Sequence, residues 1–217
     1  AASDVYKRQV YANEEETMLI DLTYRCNMGC NHCMSDCKPN GTDMTPEILK
    51  DVLAFCKKNE VPNLIFSGGE MFENPHILEL LKIIEKEWDK RFPLSFITNG
   101  RKLADTPDIF EAVQDMQKKY GKKKIMIQVT DDPRFYPQPL SEKQKYRLKK
   151  LDAVIEGVPG NGNKCLYPQG RTLENFDDSW WNTIAPKCVN VRLLAKQGVD
   201  SILSLIHISE PTRLALI

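Results

Sequence analysis

Three cysteines fall within eight residues in Cys26-Asn-Met-Gly-Cys30-Asn-His-Cys33, directly after the apolar run Met18 to Leu22. Thiols this close together have the spacing of ligands, not of core packing, and they require a loop that a strand end can present. Gly29 helps such a loop turn tightly, because glycine tolerates positive φ. The number of thiols narrows what they hold. Structural zinc usually takes four ligands in two pairs, whereas a Cys-x3-Cys-x2-Cys loop supplies three. A cubane iron–sulfur cluster can be gripped by three thiolates from one loop, leaving one iron open to an external ligand.

Around this loop the chain alternates strand-like and helix-like segments. Thr17 to Tyr24 reads as a strand, and Thr45-Pro46-Glu47 opens a helix running to about Lys58 with Ile48, Val52 and Phe55 on one face. Asn63 to Phe66 is a short buried strand, and Asn74-Pro75 caps a helix carrying Ile77, Leu80, Leu81 and Ile84. Leu94 to Thr98, a helix over Thr106 to Tyr120, a strand over Lys124 to Thr130, a charged helix near Ser141 to Lys150 and a strand over Leu151 to Gly157 continue the pattern. Val189 to Ala195 is a candidate sixth strand after an irregular Gly- and Asn-rich stretch. Repeated βα units predict an α/β fold, a partial (β/α)6 TIM-like barrel with helices outside. No Gly-x-Gly-x-x-Gly or Walker-type loop favours a doubly wound nucleotide domain.

Chemistry in such folds sits at the C-terminal ends of the strands. Polar residues gather there repeatedly: the cysteine loop, then Ser67-Gly68-Gly69-Glu70, then Thr98-Asn99-Gly100, then Gln128-Val-Thr130-Asp131. Four strand ends would point into one mouth.

The cysteine loop, with His32 just before its last cysteine, resembles the signature of the radical S-adenosylmethionine (radical SAM) superfamily. Gly68-Gly69-Glu70 is similar to that family's Gly-Gly-Glu motif and lies at the expected distance. Thr98-Asn99-Gly100 resembles a common family strand end, and Gly170-Arg171 resembles a Gly-Arg found after the fifth strand. The resemblance covers about residues 17–195. It implies that Cys26, Cys30 and Cys33 hold a [4Fe-4S] cluster whose fourth iron is chelated by S-adenosylmethionine. It further implies reductive cleavage of that cofactor to a 5′-deoxyadenosyl radical, with the electron coming from a low-potential flavodoxin or ferredoxin. Gly68 and Gly69 would let backbone approach the cofactor, Glu70 would face its ammonium, and His32 would lie near the adenine. Thr98 and Asn99 belong to the same cofactor mouth, and Gln128, Thr130 and Asp131 are candidates for ribose or carboxylate contacts. Two departures bear on subfamily and substrate: Met71-Phe72 stands where many members have Pro-Leu, and Gln-Val-Thr-Asp-Asp only loosely matches the usual Ser-x-Asp. The substrate is left open, with peptide or protein modification slightly favoured over small-molecule chemistry.

Other features have plainer readings. Cys37 is a spare thiol beside the loop, Cys56 is packing, and Cys165 with Cys188 would form an auxiliary cluster only with further ligands. His76 reads as a first-turn residue, and Trp180-Trp181 reads as packing ahead of a substrate wall. The basic runs near Lys118, Lys122 and Lys143 to Lys150 read as solvated helix faces, and without interleaved aromatics they do not suggest RNA. An electron carrier or a zinc-stabilised module is the non-enzyme alternative.

The chain has 217 residues, 41% hydrophobic and 28% charged, with zero formal net charge, so it can bury a core and no global charge selects nucleic acid or an anionic membrane. Seven cysteines at this length read as cytoplasmic thiols, and Glu14, Glu15 and Glu16 stand where a signal peptide would be basic. Residues 1–9 and 204–217, the latter including His207, resemble translated sequencing-adapter DNA, so residues 10–203 are expected to be the genuine core domain, truncated at both ends.

Overall fold

The computed structural model describes residues 17–158, 166, 169–181 and 191–193. The two terminal stretches, Cys165, Cys188 and His207 lie outside the described residues.

In chain order the elements are β1 (Thr17–Asp21), α1 (Pro46–Lys58), β2 (Asn63–Ser67), a 3-10 turn (Met71–Glu73), α2 (Ile77–Glu87), β3 (Leu94–Thr98), α3 (Arg101–Asp105), α4 (Pro107–Tyr120), β4 (Ile125–Thr130), α5 (Glu142–Lys149), β5 (Val154–Glu156), α6 (Thr172–Asn175) and β6 (Val191–Leu193). A second 3-10 turn covers Asp178–Trp180. The strands form one parallel sheet in the order β5-β4-β3-β2-β1-β6. This is the expected α/β partial barrel. β6 lies within the Val189 to Ala195 run and pairs with β1, Met18 opposite Val191.

Burial alternates along β2, β3 and β4, so the sheet has two unlike faces. Leu64, Phe66, Leu94, Phe96, Ile127 and Val129 are buried in the same cluster as Leu53, Leu81, Ile84 and Val113 of the helices. The opposite face carries Ile65, Ser95, Ile97 and Gln128, which are half-buried and line the lumen. An all-parallel sheet covered on both sides would read as unbroken apolar runs. Here the alternation records a lumen that is not packed shut.

The helices start where the sequence marks them. Thr45 accepts the Ile48 N–H, with Pro46 at the first helical position, and Ser141 with Gln144 completes a capping box. Asn74 differs from its expected role. α2 begins at Ile77 after His76, and the Asn74 side chain is buried, donating to the carbonyls of Leu22 (2.7 Å) and Met44 (3.0 Å) while accepting the His76 N–H (2.8 Å). It ties both ends of the cysteine-bearing segment to the start of α2. Asn74→Ala is expected to destabilise the protein by about 2 kcal/mol in urea unfolding, because three hydrogen bonds of its buried side chain are lost, although Leu22 O keeps the Met44 N–H (2.9 Å). A change below about 0.5 kcal/mol would show that water replaces the amide.

Candidate functional site

β1 stops at Asp21, three residues short of the predicted strand, because the following residues pair within their own loop. Tyr24 N–H donates to Thr42 O (2.8 Å) and Cys26 N–H to Lys38 O (3.0 Å). Arg25 forks onto Asp43 (Nη2 to Oδ2 2.8 Å, Nε to Oδ1 3.3 Å) and donates to Pro39 O (2.7 Å), while the Thr23 hydroxyl donates to Asp43 Oδ1 (2.6 Å). Residues 23–26 and 38–43 therefore make a closed neck, from which Cys26 to Cys37 projects.

Within the projection Gly29 has φ +69°, and Cys33 N–H donates to Cys30 O (3.3 Å). Cys30 is buried, and Cys26 and Cys33 are half-buried. Burial pushes the Cys26 thiol up to about 11 and the Cys30 thiol up to about 12. Cys33 moves the other way, below the ordinary thiol value, because Cys37 donates to it; the Cys37 backbone N–H also reaches its Sγ at 3.3 Å. Cys37 is itself buried and its thiol is pushed up by the same contact. It supports Cys33 by hydrogen bonding, a use more specific than a spare thiol. Among the described residues no three His, Cys, Asp or Glu side chains gather at the spacing of a single metal ion. A lone tetrahedral ion draws sulfurs to about 2.3 Å from one centre, whereas a cluster spreads them over separate irons. Three thiols on one loop are the donor type that a cubane iron–sulfur cluster takes.

The strand end after β2 lies against this loop through its glycines. Gly69 N–H donates to Thr23 O (2.7 Å) and Glu70 N–H to Arg25 O (2.8 Å). A Cβ on Gly68 would fall 2.3 Å from Thr23 O, and one on Gly69 would fall 2.4 Å from Arg25 O and 3.0 Å from the Cys26 Cβ. The bare glycines thus serve the contact with the neck that carries Cys26. The Glu70 side chain is fully buried: its Oε1 accepts from Phe72 N–H (3.2 Å) and the Thr98 hydroxyl (2.7 Å), and its Oε2 accepts from Asn99 N–H (2.7 Å). Burial outweighs these donors and pushes its carboxyl up to about 7. Its oxygens accept from both the segment after β2 and the β3 end, and the backbone of the motif lies against the neck that carries Cys26.

Thr98 and Asn99 are buried beside it, and Asn99 Nδ2 donates to Asn27 Oδ1 (2.9 Å). Asn27 in turn donates to Glu73 (2.9 Å). Sequence reasoning missed Asn27; its side chain joins the cysteine loop to two other strand ends, and nothing in its local sequence marks this. His32 packs its ring against Phe135 (centroids 4.7 Å apart) and Tyr136 (5.3 Å). Burial drops its imidazole to about 4, leaving it neutral at neutral pH, and its Nδ1 is buried with no hydrogen-bond partner. Phe135 and Tyr136 also escaped notice, although aromatics just past a strand-end Asp-Asp-Pro would reach the mouth. Burial raises the Tyr136 hydroxyl above its ordinary range despite a hydrogen bond shared with Thr130.

The β4 end divides. Thr130 joins the mouth through Tyr136, and Gln128, on the lumen face, donates to Glu156 (3.2 Å). Asp131 is drawn off: it accepts from Leu140 N–H (3.1 Å) and meets Lys145 at 3.6 Å. It fixes the segment after β4 and takes no place among the mouth's polar groups. Trp180 packs edge-on with Phe135 and Phe176, as the packing reading expects.

An open parallel barrel with a three-thiol loop after β1, locked to Gly-Gly-Glu after β2, defines the radical SAM class. The radical SAM superfamily model matches residues 20–127, and the chain belongs to that superfamily. The family uses a [4Fe-4S] cluster and S-adenosylmethionine. The loop thiols suit the first, and the orphaned His32 Nδ1 leaves a buried polar atom for the second. Among similar proteins, Bacillus subtilis (strain 168) YydG, a protein named for peptide biosynthesis, is 33% identical over 87 residues, covering 39% of this chain and 27% of YydG. The antilisterial bacteriocin subtilosin biosynthesis protein AlbA of the same strain is 33% identical over 82 residues, covering 37% of this chain and 17% of AlbA. The crystal structure of Streptococcus suis SuiB bound to precursor peptide SuiA shares the fold, with TM-score 0.57 and 15% identity over 75% of this chain and 37% of that one. The chain thus spans well under half the length of each of these proteins. Among the described residues no helix is long and apolar enough to cross a membrane.

Proposed function

We propose that this chain is the core of a radical SAM enzyme that modifies a peptide or protein in the cytoplasm, with Cys26, Cys30 and Cys33 as cluster ligands. The observation that carries this reading is the lock between the Cys26 neck and Gly68-Gly69, which fixes the thiols against a second strand end. When bound, the cluster and S-adenosylmethionine supply a carbon-centred radical for hydrogen abstraction, fed by a low-potential donor such as flavodoxin or ferredoxin. The names of YydG and AlbA, and the precursor peptide bound in SuiB, support the peptide class.

The chain's own residues bind, orient and exclude water. Gly68 and Gly69 present backbone beside Cys26, where the cofactor's amino acid end would lie. Glu70 acts from behind by holding Thr98 and Asn99 in place, and Asn99 passes that constraint to Asn27 in the cysteine loop. His32, neutral and backed by Phe135 and Tyr136, offers Nδ1 to the adenine and shields that side from water. Gln128 and Thr130 face the lumen at the ribose or substrate side, and Asp131 orders the segment that carries the aromatics.

Anaerobic reconstitution should load about four irons per chain, and dithionite should then release 5′-deoxyadenosine from S-adenosylmethionine. An electron carrier would load iron and leave the cofactor intact; a zinc module would hold one colourless metal. Co-expression with short open reading frames neighbouring the gene, followed by mass spectrometry of their peptides, tests the substrate class. A fully loaded protein that never yields 5′-deoxyadenosine would sink the enzymatic reading.

A further inference from the structure

Gly170 and Arg171 stand far along the chain from the cysteines, yet they lie against them. Arg171 N–H donates to Cys33 O (3.0 Å), its Nε to Cys30 O (3.0 Å) and its Nη1 to Cys37 O (3.2 Å), and Nη1 also lies 3.4 Å from Asp36 Oδ1. One residue therefore holds three carbonyls of the projecting loop, two of them on thiol-bearing residues at the candidate cluster site. The approach is close enough to need glycine at the preceding position. Gly170 has φ +59°, and a Cβ there would fall 2.4 Å from Met34 O and 2.7 Å from Cys33 O. Asn175, one turn further on, donates to Asn31 O (3.3 Å). The guanidinium is mostly covered, with 20% of its side chain exposed, so its charge is only partly screened by solvent.

From this geometry we infer that Arg171 is the positioning residue of the cysteine loop: its fork clamps the Cys30–Cys37 span from outside, and its charge sits beside the cluster thiolates. The inference rests on the reading that Cys26, Cys30 and Cys33 bind a cluster. A planar fork can satisfy several carbonyls at once, and lysine keeps the charge but not the fork. A nearby cation favours the more negative, reduced cluster, so its removal lowers the midpoint potential.

The test compares the full chain as wild type, Arg171→Lys and Arg171→Met, each reconstituted anaerobically. Two quantities are read: the rate of iron loss to a ferrous chelator, and the midpoint potential from an EPR-monitored dithionite titration without S-adenosylmethionine. Arg171→Met should lose iron about ten-fold faster than wild type and show a lower potential. Arg171→Lys should lose iron faster as well, with a potential near that of wild type. If Arg171→Met matches wild type in either quantity, the inference is overturned; an altered iron-loss rate with an unchanged potential would mark a merely structural contact. Should Arg171→Met not fold, an Arg171→Lys protein that holds iron as tightly as wild type overturns it equally. A wild-type protein that takes up no iron would instead remove the cluster reading itself.

Discussion

Replacing Gly69 by alanine is expected to cost about 3–5 kcal/mol of stability and most of the protein's capacity to hold iron. The added methyl would sit 2.4 Å from Arg25 O and 2.9 Å from its carbonyl carbon, both backbone atoms that cannot rotate away. The Arg25 to Cys26 segment is also fastened on its far side, by Cys26 N–H to Lys38 O and by the Arg25 fork on Asp43, so it resists moving as a unit. Overpacking of this kind costs about 1–3 kcal/mol, and separating the segments also gives up two backbone hydrogen bonds worth roughly 1 kcal/mol each. Urea unfolding measures the first loss, and iron per chain after reconstitution measures the second. Gly29→Ala is the informative control. Its Cβ would meet nothing within 4 Å, so only the φ of +69° opposes it, at about 1 kcal/mol. If both variants lose stability and iron equally, general loop damage explains the effect, and the specific contact between Gly69 and the Cys26 neck does not.

That contrast also shows which parts of the site were legible in the sequence. The thiol spacing and the Gly-Gly-Glu triplet can be read locally, because ligand number and glycine both act through residue type alone. The use of each residue could not be read in this way. Glu70 is an acid at the right place, but its direction depends on Thr98 and Asn99, which lie 28 and 29 residues away and approach only when β2 and β3 pair. Arg25 and Asp43, 18 residues apart, shorten the predicted first strand by closing a neck that no periodicity announces. Arg171 reaches Cys30 across 141 residues, so a Gly-Arg dipeptide becomes informative only after folding. The barrel class was clear from the βα alternation, whereas the pairing of β6 with β1, across more than 170 residues, has no local mark in the sequence. Residue type marks what can ligate, and topology decides what supports it.

Glu70→Gln should flatten the protein's pH profile. The folded-state carboxyl is pushed up to about 7 from 4.5, chiefly by complete burial, so its favourable contribution is fully present below pH 4.5 and disappears as pH rises through about 7. A displacement of that size corresponds to about 3 kcal/mol between the two ends of the range. Glutamine does not titrate, but its amide NH2 must oppose either Asn99 N–H or Phe72 N–H, the donors that the carboxylate accepts. That mismatch costs roughly 1–3 kcal/mol at every pH. Wild type should therefore exceed Glu70→Gln clearly at pH 4.5, and the gap should narrow or close near pH 8. Urea unfolding of the cluster-free protein at both values isolates the effect, since other titrating groups contribute equally to the two proteins. Parallel profiles would mean that Thr98 and Asn99 hold Glu70 as an ordinary carboxylate despite its burial. A converging pair would mean that the group behind the Gly-Gly backbone carries its charge at a cost. A cation bound at the mouth would then lower that cost, coupling cofactor affinity to the protonation of a residue that need not touch the cofactor.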